Sequence, residues 1–353
     1  MIFDSTKVVF SEVYMQISWF DKLKTIISYL LTTGIIITTL FSLGSYWQKG
    51  IIFELISHFK VQYFVISLIL LCCLTITGKK RLLLVGIFCT IINLTPILPW
   101  YIHRNGISQE TPNLRILVYN LYGGRNSQYS QVTKMVRKEN PDIAIFLEPT
   151  NTWFQNLQTL SDILPNSIAS KSTYGIPPYG IVAVYSKFPL NDYSIKFFAP
   201  NKPTIITNFN INQQTIDLIA THPTVPIYRS TFKQRNQILE ALSKYIQQLN
   251  HPVILAGDLN ITMWSPYYQK LEQETGLRNS RLGFGIIPTW PARFNNSIVL
   301  YILSRFFQIP IDHCLISSEI KVVNVKTRAN SGLNLGSDHL PLITDLLISK
   351  SGN

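Results

Sequence analysis

The chain has 353 residues, with 31 lysines and arginines against 19 aspartates and glutamates, which gives a formal net charge of +12. This length is sufficient for one large domain or two ordinary ones. None of its four cysteines forms a Cys-x-x-Cys pair, which argues against a structural zinc site. The spread-out positive charge suits anionic partners such as phospholipid headgroups or nucleic acid.

Three uncharged apolar runs predict a membrane anchor in residues 1–105, with transmembrane helices at about 26–47, 61–77 and 82–100. A bilayer-spanning helix needs about 20 apolar residues, and tryptophan or tyrosine at the run ends is typical of a membrane interface. Residues 51–60 contain Glu54, His58 and Lys60 and predict an interfacial helix. Three core helices of a soluble protein are the alternative interpretation.

The orientation prediction depends on Lys79-Lys80-Arg81, which lies between the second and third apolar runs. Positively charged short loops stay cytoplasmic, so the N-terminus is predicted inside and residues 106–353 outside the cytoplasmic membrane. If the second run does not cross, the same reasoning places the domain in the cytoplasm.

Residues 106–353 alternate short apolar runs with amphipathic ones and predict an α/β domain. The predicted strands are 114–121, 143–148, 180–187, 204–212, 215–221, 253–257, 311–317, 320–325 and 342–347, and the predicted helices are 130–140, 153–164 and 228–249. Because several neighbouring strands would form hairpins, the pattern favours sheets packed on each other over one purely parallel sheet.

Polar residues follow these apolar runs repeatedly, beginning with Asp258 and Asn260 after the run Val253-Ile-Leu-Ala-Gly. Alternate residues of an extended chain point the same way, so this carboxylate and amide lie side by side. A single acidic residue at such a position is usually a turn or helix cap. The repetition instead predicts that strand ends converge on one site, whose candidates are Asn120, Glu148, His222, Asp258, Asn260, Asp312, Asp338 and His339.

These residue types suit hydrolysis of a phosphate ester. Carboxylate oxygens are good ligands for Mg²⁺ or Mn²⁺. A histidine held by a carboxylate can activate a water molecule, and asparagine amides can donate to phosphate oxygens.

The region from about Leu114 to Leu347 resembles the endonuclease/exonuclease/phosphatase superfamily of DNase I-like proteins. The resemblance depends on the order of the motifs Val-Tyr-Asn120-Leu, Phe-Leu-Glu148, Gly180-Ile-Val-Ala-Val-Tyr-Ser, Thr-His222-Pro, Gly-Asp258-Leu-Asn260, Ile-Asp312-His and Gly-Ser-Asp338-His339-Leu-Pro. It implies a four-layer αββα sandwich.

The resemblance also implies roles for the candidate residues. Glu148 would bind the metal ion, with Asn120 beside it and Asp338 completing the site. His339 would be the general base, oriented by Asp312. One departure is Leu147, which stands where the family usually has glutamine.

The remaining roles implied by the resemblance concern the nucleophile and the phosphate. Asp258 and Asn260 would position the nucleophile and stabilise the pentavalent transition state. His222 would contact the phosphate or assist the leaving group, and Asn120 and Asn260 would also bind the phosphate.

The substrate is indicated less directly. The apolar segment Ser297 to Gln308 and the predicted anchor favour a lipid-linked phosphate, although a core helix is an equal interpretation of that segment. The arrangement also resembles bacterial teicoplanin-resistance membrane proteins of this superfamily. Two rival hypotheses are an extracytoplasmic nuclease and a non-catalytic membrane scaffold, and the sequence does not indicate an oligomeric state.

Overall fold

A computed structural model describes residues 3–44, 46, 50–102, 107–170, 181–292, 298–327 and 335–350. The chain divides into two compact units, Met1–Gln48 with Phe59–Leu98, and Lys49–His58 with Pro99–Asn353. The described helices are α1 (Phe3–Gly44), α2 (Ile51–Ser57), α3 (Lys60–Thr75), α4 (Lys80–Leu94), α5 (Tyr129–Glu139), α6 (Asn151–Leu157), α7 (Arg229–Ile246), α8 (Pro266–Thr275) and α9 (Ile298–Phe306).

The first unit consists of α1, α3 and α4, which contact one another. Its small core is formed by Ile35, Leu74 and Cys89. Many other apolar side chains of these helices face outward, among them Leu30 and Leu84. Such exposure is expected where lipid rather than water is the solvent.

The prediction of three transmembrane helices is wrong for the helices that the structure describes. Among the described helices, the part of α1 from Trp19 to Gly44 is long and apolar enough to cross a membrane. If α2 and α3 together count as one broken span, the described helices contain two candidate spans. Helix α3 has 16 residues and α4 has 15, both below the length that a bilayer requires. The third predicted run contains Pro96 and Pro99, and the helix ends before them because proline cannot continue it.

The second unit contains two six-stranded mixed sheets. The strands are β1 (Leu114–Asn120), β2 (Ile143–Leu147), β3 (Asn166–Ala169), β4 (Val182–Ser186), β5 (Asn191–Ala199), β6 (Lys202–Ile211), β7 (Gln214–Thr221), β8 (Val253–Asp258), β9 (Arg278–Asn279), β10 (Asp312–Ile316), β11 (Lys321–Thr327) and β12 (Leu342–Leu347). The strand orders are β11-β12-β1-β2-β4-β3 and β5-β6-β7-β8-β10-β9. Each sheet has one parallel pair, β1 with β2 and β7 with β8, and its other pairs are antiparallel.

The two sheets pack face to face through a shared apolar core, in which Val118 and Ile145 of the first sheet meet Leu218 and Ala256 of the second. The other face of the first sheet packs against α5 and α6 through a separate cluster that includes Trp153. Helix α7 contacts β5 and α8. This architecture agrees with the predicted α/β sandwich.

Most strands occur where the apolar runs predict them, and β6 and β7 form the predicted hairpin. The sequence interpretation did not identify β3, β5, β9 or α8. The predicted interfacial helix in residues 51–60 is α2, but it belongs to the second unit, where its Glu54 is 2% exposed. The apolar segment before Asp312 forms α9, and Val299, Ile302 and Leu303 of that helix are exposed.

Candidate active site

The topology brings the polar strand ends to one edge of the sandwich. In each sheet the parallel pair ends in candidate residues, Asn120 and Glu148 in the first sheet and His222 and Asp258 in the second. The antiparallel strand β10 starts opposite the end of β8, with Asp312 paired to Asp258. His339 lies shortly before β12, which is antiparallel to β1.

The Asp258 carboxylate lies at the centre of this cluster and is 1% exposed. Its Oδ2 accepts a hydrogen bond from Asn120 Nδ2 at 3.1 Å, and its Oδ1 accepts one from the backbone N–H of Asn260 at 2.9 Å. Burial and the nearby charge of Asp312 raise the pKa of Asp258, although His339 and His222 oppose this shift. The side chain of Asn120, the backbone N–H of Asn260 and the two histidines therefore stabilise the charged form of a carboxylate whose protonation burial favours.

Glycine at position 257 allows the Asp258 strand to approach β7. Its φ is +151°, and a Cβ added there would lie 1.9 Å from the carbonyl oxygen of Thr221. Asn260 also has a positive φ, +51°, and its side-chain N–H donates to the carbonyl of Pro223 at 3.0 Å. The side-chain amide of Asn260 is thus bonded to the turn after His222, while its backbone N–H is bonded to Asp258.

His339 and Asp312 form a buried dyad, with 2.9 Å between Nδ1 and Oδ2. The other ring nitrogen, Nε2, lies 3.6 Å from Asp258 Oδ2. Ser337 supports this loop, because its hydroxyl donates to the Asn120 carbonyl at 2.7 Å and accepts from the His339 N–H at 3.0 Å. The geometry suits a histidine whose tautomer is fixed by a carboxylate.

The two carboxylates decide the protonation of His339. Desolvation alone would lower the pKa of the ring, but the charges of Asp312 and Asp258 and the hydrogen bond that the ring donates to Asp312 outweigh it and raise the pKa to about 10. Burial likewise disfavours the charge of Asp312, yet His339 holds the pKa of Asp312 below its usual value. In this arrangement His339 carries a proton at neutral pH.

Glu148 pairs with His222 on the other side of Asp258. His222 Nε2 lies 3.1 Å from Glu148 Oε1, and its Nδ1 lies 3.2 Å from the Asp258 carbonyl oxygen. Both ring nitrogens of His222 therefore face hydrogen-bond acceptors, which fixes the orientation of the ring. Desolvation raises the pKa of Glu148, but the hydrogen bond and charge of His222 prevail and lower it overall.

Three acidic or amide side chains, Glu148, Asn120 and Asp338, were predicted as the metal site, and all three line one cavity of about 880 Å³. Asp338 Oδ2 accepts from Trp290 Nε1 at 3.1 Å, while its buried Oδ1 has no hydrogen-bond partner among the described residues. An unpartnered buried carboxylate oxygen fits a hard cation ligand.

A second set of side chains also has metal-ligand geometry. Candidate ligand atoms of Asp258, Asp312 and His339 lie within 4.8 Å of one another, and Asp312 Oδ1 is buried without a hydrogen-bond partner in the described chain. The donor chemistry of both sets, mainly carboxylate oxygens, fits Mg²⁺ or Mn²⁺.

All the predicted site residues except Asp312 line the cavity, and Asp312 lies directly behind His339. The sequence interpretation missed several other residues of the site. Tyr122 and Arg125 line the cavity from the Gly-Gly-Arg turn after β1, and the charge of the largely buried Lys202 acts on Glu148 and Asp258. The Gly123-Gly124-Arg125 turn was the one available signal, because glycine-rich turns often approach phosphates closely.

The fold and the site together define an α/β-sandwich protein with a histidine–carboxylate centre of the phosphoesterase type. The profile of the endonuclease/exonuclease/phosphatase family matches residues 117–339, and the chain belongs to this family. Enzymes of this superfamily hydrolyse phosphoesters and generally use a divalent metal ion. No curated protein sequence matches the chain significantly.

Several solved structures share the fold. TDP2 from D. rerio, complexed with a single-strand DNA product, is 15% identical, with a TM-score of 0.55 over 66% of this chain and 98% of that one. A Beutenbergia cavernae endonuclease/exonuclease/phosphatase is 17% identical, with a TM-score of 0.53 over 67% of this chain and 72% of that one. A Bacteroides thetaiotaomicron mannosyl-6-phosphatase is 18% identical, with a TM-score of 0.52 over 67% and 100%. At these identities the likeness concerns the fold alone.

The raised pKa of His339 predicts a pH-dependent stability. Stabilisation by the protonated ring is fully present below the ordinary histidine pKa of 6.5 and is lost as pH rises through about 10. In EDTA, the wild-type free energy of unfolding should therefore fall by a few kcal/mol between pH 7 and pH 10. His339→Gln should lack this component, whereas His251→Gln, an exposed histidine, should retain it. Equal pH slopes for the wild type and His339→Gln in chemical denaturation would contradict the assignment.

Proposed function

We propose that the protein is a membrane-anchored, metal-dependent phosphoric-ester hydrolase that acts on a lipid-linked phosphate or phosphodiester. The observation that carries this proposal is the position of His339, bonded to Asp312 on one side and facing Asp258 on the other, at the end of a cavity. A non-catalytic scaffold would have no need to keep such a costly set of buried charges together.

In this proposal His339 is the general base, and Asp312 orients its ring. Asp258 accepts from Asn120 and from the Asn260 N–H, so it is fixed in place to position the attacking water. His222 contacts the phosphate or protonates the leaving oxygen, and its link to Glu148 keeps the ring at the cavity wall. Water adds to phosphorus as the bond to the leaving oxygen breaks, and that oxygen leaves with a proton. A phosphodiester gives an alcohol and a phosphomonoester, and a lipid diphosphate gives a lipid phosphate and inorganic phosphate.

Glu148, Asn120 and Asp338 are the residues that would hold Mg²⁺ or Mn²⁺. The chemistry that such an ion supplies when bound is polarisation of a phosphoryl oxygen and compensation of the charge that develops there. We favour this set over Asp258, Asp312 and His339 because all three of its residues line the cavity, whereas Asp312 lies behind His339. Asp338 also has a raised pKa, chiefly from desolvation and partly from the charge of Glu148, which a bound cation would relieve.

The lipid class of substrate is supported by the cavity walls. Beside the polar end, the cavity is lined by apolar side chains, namely Leu55, Val225, Pro226, Ile227, Trp290, Ile309 and Ile311. Arg125 is the one lysine or arginine among its described lining residues, which provides little for a nucleic-acid backbone. Hydrolysis of nucleic acid is therefore the outcome that would overturn the substrate class.

We infer that the catalytic domain, residues 106–353, lies on the outer face of the cytoplasmic membrane. Lys22 and Lys24 at the start of the candidate span favour a cytoplasmic N-terminus. Helix α2 follows that span and belongs to the same compact unit as the catalytic domain. Because α2 and the catalytic domain form one compact unit, both lie on the side of the membrane opposite the N-terminus.

Substitution of the central residues tests the enzyme proposal. His339→Ala and Asp258→Asn in the detergent-solubilised full chain should each lower kcat by about 10²–10⁴-fold towards a polyprenyl diphosphate or an alkyl phosphodiester. His251→Ala should retain wild-type activity, because this exposed histidine pairs with Asp217 outside the cavity. Cleavage of plasmid DNA without hydrolysis of either lipid would identify a nuclease, and wild-type rates in both variants would overturn the catalytic assignment.

Removal of the metal ion tests the cofactor. EDTA should abolish hydrolysis, and Mg²⁺ or Mn²⁺ should restore it. Glu148→Gln keeps the side-chain shape but removes the charge, so half-maximal activity should require about tenfold more metal or higher. Glu240→Gln on the exposed face of α7 is the matched control and should not change the requirement. Full activity in chelated enzyme shown by elemental analysis to be metal-free would exclude a metal-dependent mechanism.

A C-terminal reporter tests the location. Alkaline phosphatase fused after residue 350 should be active, because it folds only outside the cytoplasm, and the same reporter fused after Lys24 should be inactive. The reverse pattern, or an inactive reporter at both positions, would place the catalytic domain in the cytoplasm and contradict this orientation.

A further inference from the structure

Helix α2 lies outside the region that matches the family, residues 117–339, yet it is part of the unit that contains the active site. It is seven residues long and connects the candidate span in α1 to α3. Its contacts show which part of the site it reaches.

A buried ion pair attaches α2 to the catalytic loop. Glu54 accepts from Arg235 Nη2 at 2.6 Å and from the Ser265 hydroxyl at 2.7 Å. Arg235 is 0% exposed, and its Nη1 donates to the backbone carbonyl of Asn260 at 2.9 Å. A buried pair of this kind is costly to break from one side, because the remaining charge is left uncompensated.

A second contact holds the C-terminal end of α2. His58 Nδ1 lies 2.9 Å from the hydroxyl of Thr262, which is fully buried. Burial lowers the pKa of His58 to about 4, so the ring is neutral here. Thr262 and Ser265 therefore both contact residues of the α2 segment. They are the two ends of a short stretch of chain that follows Asp258 and Asn260.

Within α2 the residue that lines the active-site cavity is the apolar Leu55, and the neutral His58 lines it at the end of the helix. Leu55 lines the same cavity as Glu148, Asp258 and His339, and 42% of its surface is exposed. Val225 and Ile227, from the segment after His222, line the cavity as well and are 43% and 67% exposed. Exposed apolar side chains that continue directly from a charged catalytic end suit a ligand with a polar head and a hydrocarbon body.

We propose that α2 is a substrate-binding element, in which Leu55 with Val225 and Ile227 binds the hydrocarbon chain esterified to the phosphate. The Glu54–Arg235 pair positions this apolar wall relative to Asn260, so the chain is bound at a fixed distance from the reacting phosphorus. This inference rests on the proposed hydrolase function and deepens it, because it assigns chain recognition to a helix that precedes the family domain.

A pair of matched probes tests the proposal in the full chain in mixed micelles. Methyl and dodecyl p-nitrophenyl phosphate have the same leaving group and differ only in the alkyl chain. The wild type should prefer the dodecyl ester in kcat/KM, and Leu55→Ser should lower the dodecyl-to-methyl ratio about tenfold, mainly through KM, because it removes one apolar contact surface.

Ile52→Ser is the matched control, since Ile52 lies on the same helix, is 67% exposed and is not among the residues that line the cavity. It should keep the wild-type ratio. Hydrolysis of both probes with the same ratio in Leu55→Ser and the wild type would overturn the role of α2. Failure to hydrolyse either probe would instead overturn the proposed function.

Photolabelling provides a test without a substitution. A dodecyl phosphonate with a diazirine in its alkyl chain should label peptides that contain residues 51–58 and 223–228 of the wild type, and dodecyl phosphate should compete. Labelling that is confined to other peptides would contradict the proposal even if every variant folds poorly.

Discussion

The buried carboxylate of Asp258 joins the two sheets of the sandwich. It belongs to β8 of the second sheet, yet its Oδ2 accepts from Asn120 at the end of β1 in the first. A buried charge is tolerated only when it is hydrogen-bonded or paired. This requirement is met by the side chain of Asn120, the backbone N–H of Asn260 and the rings of His222 and His339. These groups reach Asp258 only if both parallel strand pairs end at the same edge of the sandwich. The geometry of the site therefore depends on the face-to-face packing of the two sheets, because the groups that bond Asp258 come from both of them.

Much of this arrangement could be predicted from the sequence, because apolar runs mark strands and the residue after each run marks the strand end. Strand β12 occupies the predicted residues 342–347, and the Asp258 and Asp312 strand ends pair directly. Position alone does not tell which polar ends bond to each other. The Glu148–His222 pair joins residues 74 positions apart, and no local pattern in the chain specifies it.

The failures of prediction also have physical causes. Strand β5, from Asn191 to Ala199, is an edge strand that is largely exposed, so it has no continuous apolar run. The membrane prediction counted uncharged residues, but proline ends a helix whatever the hydropathy of its neighbours. The third apolar run extends to residue 100, whereas helix α4 ends at Leu94. The sequence also contains no sign of the Glu54–Arg235 bond of α2, because the two residues are 181 positions apart.

The charges of the site indicate why a metal ion and a histidine base belong together. Its acidic side chains are the buried Asp258 and Asp312 and the partly buried Glu148 and Asp338, and the charges of His339, Lys202 and Arg281 act on members of this set. The charges of Asp312, Asp258 and Asp338 raise the pKa of His339 to about 10, and a protonated ring cannot accept a proton from water. Positive charge bound by Glu148 and Asp338 would lower the pKa of His339 and make it available as a base near neutral pH. In the proposed mechanism Asp312 and Asp258 therefore set most of the proton affinity of His339, and a cation held by Glu148 and Asp338 would bring that affinity down to the range of a base.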